Sequence, residues 1–298
     1  MKKVRICQRD MLLFLWMIKE IFMSNEEITN KMLDILKERT KKKCIEFKLK
    51  DEKAGLMGNK IGGMPFIPKR GTYPVSTISG EKLHLLIQLN FETLQNIENY
   101  PQTGILQIFI EATDCYGLDF DNPQKQSSWR IIYHTDISDP MSEDEILVLM
   151  PEISEDNYEL PFEKSGKEYK LEGKESEMPI TINSFNFDSI YNKYCNDILD
   201  DEFKNKSWYS LTEEVSNRLN DELYGEGTRI GGYPGFTQSD PREGILENYM
   251  LLLQIDSEGN DKEWFLMWGD SGIANFFIDP DDLKKCDFSK VYYNWDCC

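Results

Sequence analysis

Gly269-Asp270-Ser271-Gly272 spells a serine set between glycines, the arrangement in which Ser271 would attack a carbonyl, neighbouring amides would hold the oxyanion, and His84 or His134 would take the proton. The surroundings oppose that chemistry. Ile273 follows the motif, and Leu83-His84-Leu85 and Tyr133-His134-Thr135 place bulky residues around both histidines. A turn explains the tetrapeptide better, because Gly and Asp supply left-handed backbone and local hydrogen bonds. With only 2 histidines in the chain, acid–base and metal chemistry near neutral pH have few carriers. Asp279, Asp281 and Asp282, or Asp119 and Asp121, lack the spacing and closing Glu of a calcium loop, and Asp279 before Pro280 reads as a helix cap. No glycine-rich phosphate cradle is present. The expectation is therefore no catalytic set, no metal and no cofactor, with the balance against an enzyme.

Recognition is better supplied. Trp268, Trp129-Arg130, Arg229 and Tyr233 combine aromatic and arginine side chains beside glycine turns, the residue types that carry binding energy where proteins hold ligands or partners. Asp270 is the expected internal partner of Arg229 or Arg130, or else these arginines hold an anionic group. Gln88 and Gln254 interrupt apolar strands, where a buried amide must find partners or cost roughly 1–3 kcal/mol; backbone at the Gly-Gly turns is the expected partner, a ligand the alternative.

These residues need elements to hold them. Ile28, Met32, Ile35 and Leu36 recur at helical spacing behind a Ser24/Glu27 capping box, which predicts an amphipathic helix over residues 23–44, with the basic run Lys37–Lys43 complementing its C-terminal dipole. Short apolar runs bounded by Gly, Pro, Asn and Asp predict strands at Leu83–Leu89, Ile105–Ile110, Arg130–Tyr133, Ile146–Met150, Tyr249–Asp256, Glu263–Trp268, Gly272–Ile278 and Val291–Trp295. Asp188–Asn220 turns helical, with Ser210 and Glu213 as a second capping box.

Three motifs recur in order. Ile61-Gly62-Gly63-Met64-Pro65 returns as Ile230-Gly231-Gly232-Tyr233-Pro234, Leu86-Ile87-Gln88-Leu89-Asn90 as Leu252-Leu253-Gln254-Ile255-Asp256, and Thr103–Ile110 as Ser271–Ile278, at offsets of 169, 166 and 168. Near-constant offsets predict an α+β fold: one strand-rich body of two pseudo-equivalent halves (about 45–185 and 186–298) around antiparallel sheet, preceded by the N-terminal helix. Together with Trp268-Gly269-Asp270-Ser271-Gly272, the same motifs resemble the YwqG-like family of bacterial proteins, a domain-of-unknown-function family (family 1963). The resemblance covers roughly residues 45–298. It implies a single duplicated α+β body and brings no activity, cofactor or catalytic residue.

Charge narrows the partners. Residues 1–60 carry 15 Lys or Arg against 9 Asp or Glu, and the remaining 238 carry 19 against 44, so the body stands at −25. Such a field repels nucleic acid and anionic lipid and suits a basic protein partner or plain solubility. The 7 cysteines are odd in number and lack a C-x-x-C pair, which reads as a reducing, cytoplasmic setting. Residues 1–22 make a poor copy of a signal peptide, leaving two readings: an extension upstream of a natural start at Met23, or a segment that docks on the body. The functional expectation is a binding or regulatory protein acting through its acidic surface or a cleft between the halves, the alternatives being a small-molecule receptor with Trp268 and Tyr233 in its pocket or an enzyme using Asp270 and an arginine.

Overall fold

The computed structural model describes residues 23–152, 159–162, 167–260 and 262–298; both readings of residues 1–22 fall outside them. Ser24 and Glu27 each bond the other's backbone amide and so satisfy donors left open at a helix start, opening α1 (Asn25–Thr40). The chain then pairs at once, as β1 (Lys42–Lys50), followed by β2 (Lys60–Gly62), β3 (His84–Asn90), β4 (Ile105–Ile110) and β5 (Trp129–His134). Next come a short helix α2 (Glu143–Leu149), the long strand β6 (Glu168–Met178), and helices α3 (Phe187–Cys195) and α4 (Glu213–Leu223). The rest is β7 (Thr228–Gly231), β8 (Met250–Asp256), the ribbon β9 (Glu258–Gly259) with β10 (Trp264–Leu266), then β11 (Ile273–Ile278), α5 (Pro280–Lys284) and β12 (Tyr292–Asp296).

Ten strands form one antiparallel sheet in the order β12-β11-β8-β7-β1-β6-β2-β3-β4-β5. β1 and β6 lie side by side in the middle. Outward from β1 run β7, β8, β11 and β12, and outward from β6 run β2, β3, β4 and β5. Strands this rich in Ile, Leu and Phe are buried along their whole length in β4 and β11, and at all but their end residues in β3 and β8, which requires cover on both faces. One face curls on itself, so that Trp129 of β5 meets Phe276 of β11 and Tyr293 of β12 with ring centroids 5.9 and 5.4 Å apart. A separate apolar cluster joins α1, α3 and α4 through Met32, Leu36, Tyr191, Cys195 and Leu219 to Ile180 and Ile182, just beyond β6. The Thr40 hydroxyl accepts from the Ile180 amide (2.9 Å), fastening the end of α1 to the sheet.

Several local expectations give way to this packing. Ile146–Met150 is mostly helix α2, because Ser142 and Glu145 form a complete capping box; only Ile146 is buried, and Leu147 and Val148 face outward. α4 is capped at Thr212, without a side-chain bond, and Ser210 belongs to a preceding 3-10 turn, so the expected Ser210/Glu213 box is absent. Lys42 and Lys43 are β1 residues, beyond the end of α1 whose dipole they were expected to meet. Of Glu263–Trp268 only Trp264–Leu266 is strand.

Candidate functional site

The two Gly-Gly turns fold as the doublets demand. Gly62, Gly63, Gly231 and Gly232 all have φ between 65° and 72°, a region where L side chains are strained. They also press on neighbouring chain: a Cβ on Gly62 would sit 2.4 Å from the carbonyl oxygen of Lys167, just ahead of β6, and one on Gly231 would sit 2.6 Å from Ile97 Cδ1 and 3.1 Å from the Lys43 carbonyl oxygen of β1. Behind each turn lies a buried glutamine. Gln88 accepts from the Phe66 amide (2.8 Å) and donates to the Leu56 and Gly58 carbonyls (2.9 and 3.0 Å). Gln254 accepts from the Gly235 amide (2.7 Å) and donates to the Gly225 and Gly227 carbonyls (2.9 and 2.8 Å). Their partners are backbone groups immediately before and after the motifs. Each side chain is fully satisfied, which is what a buried amide requires.

A buried cation stands at the matching place in each turn segment. Lys60 Nζ donates to the Gly55 carbonyl (2.6 Å) and lies 3.8 Å from Glu168, whose carboxylate also accepts from the Ala54 amide at 2.7 Å. Burial pushes the Lys60 ammonium down to about 8, against the pull of Glu168. Since its proton is held less tightly folded than unfolded, the burial penalty is complete below pH 8, and stability should rise as pH climbs from about 8 toward 10.5. Between pH 7 and 9.5 urea denaturation should show wild type gaining about 2 kcal/mol relative to Lys60→Met. Parallel curves would refute it.

A cleft of ≈ 660 Å³ opens beside the second turn. Its walls come from Ser184–Asn186 ahead of α3, from Gly231–Pro234, from Tyr249–Leu251 at β8, and from the Ile97–Tyr100 loop between β3 and β4. Tyr100 is buried there, its single hydroxyl proton shared between the Leu251 and Leu252 carbonyls and its oxygen accepting from the Gly231 amide. The back wall is fixed by Arg242, whose guanidinium grips Asp240 in two bonds (2.9 and 2.5 Å), donates to the Tyr249 carbonyl and covers the Phe277 ring at 4.6 Å. Lys42 also lines the cleft. By surface area it is an exposed residue, yet its ammonium is sheltered, 4.1 Å from the centroid of the Tyr233 ring. Shelter, and then the nearby Arg242, lower its pKa from the ordinary lysine value. The volume falls in the range of small-molecule sites.

Residues 59–297 match the model of a family described as a domain of unknown function (DUF1963). The chain belongs to the DUF1963 family. No curated protein matches it. The DUF1963 span contains the two Gly-Gly turns, both glutamines, Tyr233 and Arg242, whereas Lys42 comes from β1, ahead of the span.

Of the recognition residues read from sequence, the cleft collects Tyr233 alone. Trp268 is wholly buried against Tyr116 and Trp295 (ring centroids 5.2 and 6.4 Å) and cannot line a pocket with Tyr233. Trp129 is equally buried in the shared core, and Arg130 lies beside it on β5, paired across to Phe109. The expected Arg229–Asp270 ion pair does not form. Arg229 spends its donors on the carbonyls of Gly225, Glu226 and Tyr233, and Asp270 is exposed in a tight turn closed by the Gly272 amide on the Trp268 carbonyl (2.7 Å). The paired strand ends hold the histidines at opposite ends of β4, and His134 bonds Gln107 (2.9 Å). Among the described residues no three His, Cys, Asp or Glu side chains gather as metal ligands would, and no helix is long and apolar enough to cross a membrane. Sequence reasoning missed Lys42 because its charge reads as a helix-end lysine; the signal available was the run Lys41–Lys43 where α1 gives way to β1.

Proposed function

We propose that this chain is a non-enzymatic, cytoplasmic binding protein of the YwqG-like kind, built from two duplicated halves, that takes a small-molecule ligand in the cleft beside Gly231–Pro234. The observation that carries the reading is the Lys42 ammonium at the cleft wall: it has no hydrogen-bond or ion-pair partner among the described residues, in a cleft large enough for a ligand and floored by Tyr233. Its neighbour Lys43, by contrast, is paired with Glu175 at 2.9 Å. The duplication is supported by the mirrored strand order and by the glutamine bonds, whose partners Leu56, Gly58 and Phe66 correspond to Gly225, Gly227 and Gly235 at the same offset of 169.

The test is a thermal-shift screen of the full chain against small metabolites. A ligand at 100 times its Kd adds about 2.7 kcal/mol, a rise of several degrees. Glu98→Trp, at an exposed rim position, should fill the mouth and abolish the rise while leaving the unliganded melting temperature unchanged. A hit unaffected by Glu98→Trp, or no hit at all, would remove the cleft reading. The −25 body favours the second reading, a basic protein on the acidic surface. That complex would be lost as salt shortens the screening length below about 8 Å.

A further inference from the structure

Resting on the cleft reading, and going beyond it to the ligand's chemistry, we infer that the cleft selects a small aromatic or branched monocarboxylate, its carboxylate on Lys42 Nζ and its apolar body between Tyr233, Phe185 and Met250. The charge count at the cleft leads there. Lys41 is paired with Glu38 (3.2 Å), Lys43 with Glu175 (2.9 Å) and Arg242 with Asp240 (2.5 Å), so among the described residues Lys42 is the lining cation left for a ligand. A single carboxylate gives the unpaired Lys42 ammonium a charge-assisted hydrogen bond, stronger than a neutral one. The Tyr233 ring beneath Nζ leaves the other side of the ammonium for that partner.

More highly charged anions are disfavoured by the rim. Glu98, Glu177 and Glu247 line the same cleft and are exposed, and the body beyond them is strongly negative, so each further negative charge on a ligand meets repulsion with no second free cation to offset it. Apolar and aromatic wall residues give the rest of the ligand a dry surface of the kind that carries affinity in concave sites.

Phenylacetate, its neutral isostere phenylacetamide and the dianion phenyl phosphate discriminate these statements. Titrated into the ¹⁵N-labelled full chain, phenylacetate should shift the Gly231 and Gly232 amides, phenylacetamide should bind about tenfold more weakly or worse, and phenyl phosphate should bind no more tightly than phenylacetate. Lys42→Met should reduce phenylacetate to the amide's affinity and leave the amide's own affinity unchanged, whereas Lys42→Arg should retain most of the preference. Equal binding of acid and amide, or a Lys42→Met protein that still prefers the acid, overturns the assignment of the carboxylate to Lys42 while leaving a neutral-ligand cleft intact. If none of the three probes shifts these glycines, the monocarboxylate class fails, and the Glu98→Trp comparison alone then decides whether the cleft binds anything.

Discussion

Asp240→Ala should destabilise the protein by about 3–5 kcal/mol, the cost of leaving a buried charge without its partner. The side chains of Asp240 and Arg242 are 1% and 8% exposed, so water cannot replace the lost carboxylate. One Asp240 oxygen also accepts from the Phe185 amide (3.1 Å) and the other from the Arg242 amide (3.1 Å). The deletion therefore strands an amide at the approach to α3 as well as the guanidinium. Because Arg242 bonds the Tyr249 carbonyl and covers Phe277, the loss loosens the joint between the helical layer and the second half of the sheet, and the cleft should lose its ligand with it. Asp240→Ala combined with Arg242→Met should cost less than Asp240→Ala alone, since the second change removes the orphaned charge. Urea denaturation of the three proteins measures this. A single-variant cost below about 1 kcal/mol would mean that the pair behaves as an ordinary surface bridge.

What could be read from sequence follows from what is local. The Ser24/Glu27 box and the Asp279-Pro280 cap are satisfied within four residues, so residue type alone announces them. The recurring glycine doublets and glutamines were visible because the same physical problem, a strand end pressed against a neighbouring backbone, is solved twice with the same residues. Ile146–Met150 misled because its β-branched and apolar letters fit a strand, and a capping box upstream outweighs them when the segment has no partner strand. The cleft was not legible for a different reason. Lys42 reaches Tyr233 only because β1 pairs antiparallel with β7, putting Cys44 opposite Gly231, and no local pattern encodes a register between segments so far apart. Trp268 misled in the opposite direction, since a tryptophan beside a glycine turn looks like a binding residue until the curl of the sheet buries it.

Gln254→Leu should cost about 2–4 kcal/mol, because it strands the Gly235 amide and the Gly227 carbonyl where the side chain itself is wholly buried, and leaves the Gly225 carbonyl with the Arg229 guanidinium alone. Gln88→Leu should cost at least as much. It strands the Phe66 amide and the Leu56 and Gly58 carbonyls, and it also takes an acceptor from Gln107, whose amide donates to Gln88 at 2.8 Å. Asn275, 168 residues after Gln107 and one methylene shorter, donates to the Gly235 carbonyl (2.9 Å) as Gln107 does to the Phe66 carbonyl (2.9 Å), and makes no bond to Gln254. The two glutamines share no hydrogen-bond partner, so the double variant should be additive within about 0.5 kcal/mol. Gln254→Glu sharpens the point: it replaces the donating nitrogen with an oxygen facing two carbonyls, and a proton on that oxygen restores one bond. Its destabilisation should therefore be greater at pH 7 than at pH 5, a dependence that Gln254→Leu lacks. If the Leu and Glu variants instead track each other across that range in denaturant titrations, the bonds to Gly225 and Gly227 contribute little, and the turn is held by its glycines alone.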